Sequence, residues 1–414
     1  MSGVSGVSGV SGVGEEITDR HELVRRTNVE NVFRAIGEHG PISRAALIKL
    51  ANLSKPTVLS VVAALEGEGL IRGVQLSSTG AGRTPILYEH NPGAAHVVGI
   101  DLGGTKILAA LADLTGEILA EIELTTATDG GNAVVRQLAE TARALARQAG
   151  VPWARVDAVS VGSPGVVVAD GTVDLANNVA GLGSTPLASD LRRALRTPVT
   201  VDNDVNMAAL GELMVGVAQK CHTFALLAIG TGVGLGLVVD GRLARGARGG
   251  AGEIAFFPIG GDPSTVAAKR RGTFELAVSG SGVELMLREQ LTHARSACLN
   301  RRSSTRDVFA AAEQGDAVGV AVVERHAAVL AQALLALASL IDPEMIVLGG
   351  GIGSNSYLLE PLRAAVDRIA PWPVRIETSA LGARAGMIGA IHHALRSLPQ
   401  IESHRISARL QELT

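Results

Sequence analysis

The sequence predicts an α/β protein in two folded parts, a small N-terminal winged helix and a larger unit of two similar halves. Three observations lead there. A helix–turn–helix pattern over residues 43–69 runs directly into two short strands. From residue 96 onward, strands and helices alternate. Lastly, "GIDLGGTKILAAL" (99–111) reads as a strand, a glycine turn and a returning strand, and "AIGTGVGLGLVV" (228–239) repeats that plan.

The chain's 414 residues are enough for two or three folded units. Hydrophobic residues reach 47% and aromatics only 2%, so the core must be built from Leu, Val, Ile and Ala. A net charge of −3 gives no overall attraction to nucleic acid, so any DNA contact must come from a local patch. Cys221 and Cys298 lie too far apart in sequence to suggest a thiolate cage or disulfide framework, and a reducing cytoplasm is expected. The apolar run 327–341 is short and broken by Gln332, which reads as a buried helix and not a membrane span. Residues 1–19, with their Ser-Gly-Val triplets, read as a disordered tail without the features of a signal peptide. Residues 401–414 read as a C-terminal tail.

Residues 20–90 are expected to form the DNA-binding unit. Val29, Val32, Phe33 and Ile36 recur at helical spacing, and Gly40-Pro41 ends that run. Ser43 caps a short second helix and Ser54 a third, with Pro56 tolerated in its first turn. Val58, Val61, Val62 and Leu65 face inward, leaving Lys55, Thr57 and Ser60 outside. "LIRGVQL" and "TPILYEH" then make a hairpin whose tip carries Arg83, placed to enter a minor groove. The candidate DNA contacts are Arg44, Ser54, Lys55, Thr57, Ser60 and Arg83. The segment carries an excess of about three positive charges, the sign that DNA requires. A packing or dimerisation module is the alternative reading of the same helices.

In the larger unit, the two glycine turns facing each other across a cleft would hold a nucleotide's phosphates from both sides. An Asp that follows a strand, as Asp204 does, can equally be a helix N-cap.

Five motifs in order make the chain resemble the ROK family of repressors and sugar kinases, within the sugar-kinase, actin and heat-shock ATPase superfamily. They are "DLGGTK" (101–106), "VDNDVNMAALGE" (201–212), "GTGVGLG" (230–236), "GAGEI" (250–254) and "IVLGGGIG" (346–353). The resemblance implies a two-lobed actin-like fold over residues 96–400. Lobe one would take about 96–200 plus a C-terminal helix at 384–398, and lobe two about 201–383. It also implies sugar contacts from Asn178, Asn203, Asp204, Glu253 and Glu275, with Asp204 as the base of a kinase. Nucleotide contacts would come from Asp101, Gly103, Gly104, Thr105, Lys106, Gly230, Thr231, Gly232, Gly234, Gly349 and Gly350, with Asp101 holding magnesium through water.

The chain departs from the family at the zinc loop. Phe256, Val266, Ala268 and Thr273 occupy the positions of one His and three Cys ligands, so no structural zinc is expected. Glu275, which the metal would otherwise brace, must then be held by packing, or pair with Arg270 or Arg271.

The function expected from this combination is a sugar-responsive transcriptional regulator, a repressor in type. It would bind double-stranded operator DNA as a homodimer or homotetramer, with a sugar or sugar derivative as effector. It would be cytoplasmic, associated with the nucleoid when on DNA, need no cofactor and have no membrane partner. The alternative is an ATP- and magnesium-dependent hexose kinase of glucokinase type, possessing both activities or catalysis alone.

Overall fold

A computed structural model describes residues 11–75, 86–168, 171–174, 179, 181–183 and 185–412. Its first helix, α1 (Ser11–His39), begins within the segment read as a disordered tail. Once the amphipathic stretch around Val29–Ile36 has nucleated a helix, each further residue adds a hydrogen bond at little cost, so the helix extends toward the N-terminus.

After α1 come β1 (Ile42–Ser43), α2 (Arg44–Ala51), α3 (Lys55–Gly67), β2 (Ile71–Gln75) and β3 (Ile86–His90). The caps fall where the sequence puts them. Ser43 Oγ accepts from the Ala46 amide at 3.3 Å, and Ser54 Oγ accepts from the Thr57 amide at 3.3 Å. Asn52 supplies the left-handed residue of the tight turn between α2 and α3. The strands form an antiparallel sheet in the order β1-β3-β2, with Gln75 opposite Ile86 at the base of the hairpin. Leu47, Val58, Val62 and Leu65 are buried against Val32 and Ile36 of α1. This is a winged helix–turn–helix.

The larger unit opens with β4 (His96–Leu102), β5 (Lys106–Asp113), β6 (Ile118–Thr125), α4 (Gly131–Gln148) and β7 (Val156–Ser163). There follow β8 (Val166–Val167), β9 (Val173–Asp174), α5 (Leu187–Leu195), β10 (Val199–Asn203) and α6 (Asp204–Val215). The second half contains β11 (Phe224–Ile229), β12 (Val233–Val239), β13 (Arg242–Leu243), α7 (Val266–Arg271), α8 (Thr273–Val278), α9 (Gly280–Gln290), α10 (Thr305–Glu313) and α11 (Ala317–Ile341). It closes with β14 (Met345–Gly349), α12 (Gly350–Gly353), α13 (Ser356–Asp367), β15 (Ile376–Thr378) and the long α14 (Ala385–Glu412).

The two principal sheets share one topology. The first is ordered β10-β7-β4-β5-β6 and the second β13-β12-β11-β14-β15. In each, the first strand lies central, two antiparallel strands extend to one side, and two parallel strands extend to the other. The repeat that looks loose in sequence is therefore complete in backbone. The first sheet extends through Asn203, so the lobe boundary falls at the start of α6 instead of at residue 200. At the other end, α14 continues through 401–412, where the sequence suggests a tail.

The helix α11 is long and apolar enough to cross a membrane by composition. Its Val322, Val323, Leu330, Leu334 and Leu337 are buried in the second lobe's core, as expected of the 327–341 run.

α14 ties the parts together. Met387, Ile391, Ala394 and Leu398 line one stripe of it, and they share a buried cluster with Val29, Val32, Phe33 and Ile36 of α1. The same helix crosses β4 and α6 at glycine contacts. A Cβ on Gly99 would sit 2.6 Å from the Ile391 amide nitrogen, and one on Gly211 2.5 Å from the Ala385 carbonyl oxygen. The winged helix is thus joined by continuous packing to the first lobe's sheet and to α6.

Candidate functional site

α6 starts where the first sheet ends, which places two polar residues at the mouth between the lobes. Asn203 caps α6: its Oδ1 accepts from the Val205 amide at 2.9 Å and the Asn206 amide at 3.1 Å. Its Nδ2 donates to the Gly165 carbonyl at 3.0 Å. The N-cap role that competes for Asp204 thus belongs to Asn203, which keeps one amide hydrogen for a ligand. Asp204, the first helical residue, is half-buried, and its carboxylate accepts from the Val205 amide at 2.9 Å and from its own amide.

The floor under this pair is an interlobe contact. Asp202 is buried, and accepts from the Asn203 amide at 2.7 Å, Asn206 Nδ2 at 3.0 Å and Arg245 Nε at 2.6 Å. Arg245 follows β13 in lobe two. Close by in chain, Gly249 packs on β8 of lobe one, where a Cβ would lie 2.4 Å from the Val167 carbonyl oxygen. Behind Asp202, His393 of α14 lies 3.0 Å from Ser160 Oγ and 3.2 Å from Thr200 Oγ1. Sequence reading missed Asp202, Arg245 and His393, because an ion pair between segments over forty residues apart leaves no spacing signal.

Three further carboxylates gather around Asp204. Asp101 ends β4 beneath α14, where a Cβ on Gly386 would lie 2.7 Å from its carboxylate. Burial and the neighbouring Asp204 charge push Asp101 up to about 7, against the pull of Lys106. Asp204 is pushed up to about 6, chiefly by burial. Glu253 is raised by burial, then by Asp204 and Glu275. Glu275 accepts from the Val233 amide at 3.3 Å and pairs with Arg271 at 3.1 Å. The alternative pairing partner is therefore the observed one, although the Glu275 side chain is mostly covered instead of facing solvent.

These raised values set the sign of a pH effect. A carboxylate whose folded pKa exceeds its unfolded value binds protons more readily in the native state, so stability falls as pH rises from about 4 through about 7. Asp101→Asn removes part of that loss. Its midpoint of thermal unfolding should exceed wild type at pH 8, and the difference should shrink toward pH 4 in a pH series of ligand-free protein.

In lobe two the glycine turns adjoin, since a Cβ on Gly230 would lie 3.8 Å from the Gly351 amide nitrogen. Gly103 closes the β4–β5 hairpin through its amide on the Lys106 carbonyl at 2.9 Å, leaving Gly104, Thr105 and Lys106 exposed. Lys106 pairs with Glu123 at 3.2 Å. In lobe two, the Gly230 amide donates to the Gly232 carbonyl at 2.9 Å, with Thr231 exposed at the tip. Gly234 rides on α6, a Cβ there falling 2.7 Å from Val205 Cγ2. Gly349 ends β14, and Gly350 turns at φ +74 where a Cβ would strike the Ile229 carbonyl at 2.4 Å.

At the vestigial zinc loop, Phe256 and Val266 are exposed while Ala268 and Thr273 are buried. None of the three hydrocarbon side chains can ligate a metal, and Thr273 alone makes no tetrahedral site. Asn178 and Arg83 lie outside the described residues. On the reader, Lys55 and Ser60 are exposed, and Thr57 is half-exposed beside Ser54, its hydroxyl 2.7 Å from Ser54 Oγ. Arg44 donates to the Tyr88 hydroxyl and stacks over that ring at 5.0 Å, so its head is committed to the hairpin.

The pattern that defines the ROK family matches residues 97–397. The chain belongs to the ROK family. Among ROK proteins it is 33% identical to a glucokinase of Halalkalibacterium halodurans over 311 residues, covering 70% of this chain and 92% of that protein. It is 28% identical to a xylose repressor of Caldicellulosiruptor bescii over 384 residues, covering 90% of this chain and 96% of that one. A crystal structure of a ROK family transcriptional regulator, described as a homologue of the E. coli MLC protein, superposes with a TM-score of 0.80 at 24% identity. It covers 92% of this chain and 99% of its own. That likeness establishes the fold, including the N-terminal helices ahead of the two lobes.

Proposed function

We infer that this ROK protein is a sugar-responsive transcriptional repressor, with operator DNA on the winged helix and a sugar in the cleft of Asn203, Asp204, Glu253 and Glu275. One observation carries the reading: α14 packs simultaneously on the helix that starts at Asp204 and on the reader's first helix. A ligand that draws the lobes together on Asp202–Arg245 moves α6, and α6 cannot move without α14. Sugar binding and DNA affinity are then two readouts of one conformational equilibrium. The relatives agree, since the xylose repressor matches over both parts of the chain and the glucokinase over the lobes. Asn178 would add a sugar contact and Arg83 a minor-groove contact. A two-fold symmetric assembly, dimer or tetramer, would read a palindromic site.

DNA contact by α3 predicts that Lys55→Ala weakens operator binding and reduces the slope of log affinity against log salt by about 1. Fluorescence anisotropy of a labelled duplex across a salt series measures both.

The kinase reading is favoured by one specific feature, the Asp101–Asp204 pair beside intact glycine turns. Asp204, at about 6, is ionised near neutrality and suited to take a proton from an attacking hydroxyl. Asp101 would hold magnesium, which supplies charge neutralisation at the transferring phosphoryl group. The glycine turns named above would cradle the nucleotide.

The test combines genomic-fragment retention on the immobilised chain with a coupled phosphotransfer assay using D-glucose, D-xylose and ATP-magnesium. Specific fragments released by sugar, without turnover, support the repressor. Turnover that Asp204→Asn removes, without specific fragments, supports the kinase and overturns the first reading.

A further inference from the structure

Aromatic side chains are scarce in this chain, and half of the ten are buried. Phe33, Tyr88, Phe224, Phe274 and Phe309 are each no more than 4% exposed. Phe256 stands at 47%. It belongs to a 3-10 turn, Ile254–Phe256, in which the Phe256 amide donates to the Glu253 carbonyl at 3.3 Å and the Phe257 amide to the Ile254 carbonyl at 2.9 Å. That first hydrogen bond closes a turn that brings the Phe256 backbone back beside Glu253, whereas Ile254 and Ala255 between them are buried.

The turn is held rigidly from both ends. Gly252, at φ +90, presses on β12 so closely that a Cβ would lie 2.0 Å from the Leu235 carbonyl oxygen. Gly272, at φ +87, presses on the turn itself, where a Cβ would lie 2.1 Å from the Ala255 carbonyl oxygen. The backbone that carries Phe256 is thus packed closely on either side. α7, packed on this turn, begins with Val266 at 85% exposure.

Glu253 follows Gly252, which packs on β12, the strand whose Gly234 rides on Val205 of α6 and whose Val233 amide donates to Glu275, so it borders the carboxylates of the cleft. A ligand hydroxyl held by Glu253 would have Phe256 beside it. In an unsubstituted hexose at least one carbon next to most ring hydroxyls carries another hydroxyl, and a hydroxyl turned against that ring would lose water without gaining a partner.

We propose that Phe256 selects a sugar carrying an apolar substituent next to the group that Glu253 holds, in preference to the free sugar. The proposal rests on the reading of the cleft as a sugar site. Two substituents have the required chemistry, an aglycone on the anomeric oxygen and an acyl group on a neighbouring amine. Either would cover the exposed ring, and burying a phenyl group or an acyl methyl on an aromatic face strengthens binding in proportion to the apolar area removed from water.

The experiment is isothermal titration of the full chain with D-glucose, D-xylose, phenyl β-D-glucoside, phenyl β-D-xyloside and N-acetyl-D-glucosamine. Each is run on wild type, Phe256→Ala and Phe256→His. The expected result is at least about tenfold tighter binding of one substituted sugar than of its parent by wild type. Phe256→Ala should erase that ratio while leaving the parent's affinity within about twofold. Preference for the phenyl glycosides identifies an aglycone, and preference for N-acetyl-D-glucosamine an acyl group. Equal affinity for parent and substituted sugars in wild type overturns the proposal alone. So does a parallel loss of both in Phe256→Ala with unchanged thermal midpoint. Absence of binding by all five overturns the sugar reading and the proposal with it.

Discussion

Asp204→Asn should weaken sugar binding by about 10- to 100-fold without lowering the thermal midpoint at pH 8. The magnitude follows from losing hydrogen bonds to a charged acceptor, about 1.5–3 kcal/mol. The lack of a stability cost follows from the local geometry. Asn203, and not Asp204, caps α6, and the backbone amides from which Asp204 accepts, its own and that of Val205, can equally donate to an Asn oxygen. Burial raises Asp204 to about 6, so at pH 8 the folded state carries an unfavourable ionised group that Asn removes. Titration calorimetry with the tightest sugar of the series and a thermal melt on the same sample measure both. If the protein is also a kinase, turnover should fall by about 10²- to 10⁴-fold, as loss of a general base does. A midpoint several degrees lower, with weaker binding in proportion, would assign Asp204 to the fold and not to the ligand.

Gly389→Val should be the most destabilising single change in the interlobe region and should also disconnect sugar from DNA. A Cβ at Gly389 would lie 1.7 Å from the Met207 carbonyl oxygen, a backbone atom of α6 that cannot rotate away. α6 and α14 must then separate, which strips contacts from Gly211 and from Met207 and Met387, both fully buried. Overpacking of this kind costs about 3 kcal/mol. Urea unfolding of the full chain measures it. Gly67→Ala is the contrasting case: this glycine in the last turn of α3 has open space around its Cβ and an ordinary φ, so alanine there should be neutral or stabilise by about 0.5–1 kcal/mol. In Gly389→Val protein kept folded at low temperature, sugar should still bind while its effect on DNA affinity is lost.

The parts of this structure that local chemistry dictates were legible in the sequence. Ser43 and Ser54 are caps because a hydroxyl before an apolar-periodic run can accept an orphan amide, and both do so. Gly350 turns at positive φ, as a glycine-rich strand exit suggests. What the sequence could not carry is contact between distant segments. Asp202–Arg245, His393 against Ser160 and Thr200, and Gly389 against Met207 are tertiary pairings with no periodicity of their own. The equivalence of the two sheets was half legible, because the glycine hairpins repeat in sequence whereas the parallel strands of each half are generic Val-rich runs. Asp204 was identified as a ligand candidate through its motif, but the division of labour with Asn203 needed the hydrogen bonds.

The most direct test of the central claim, that the cleft and the DNA reader share one conformational equilibrium through α14, is the affinity of the full chain for its retained genomic duplex with and without saturating sugar. Both titrations are run at one salt concentration. The account predicts a change of at least about fivefold, the lower end of ordinary allosteric coupling, that is absent in Gly389→Val. Sugar binding confirmed by calorimetry on the same sample, with identical duplex affinity in its presence and absence, would contradict it.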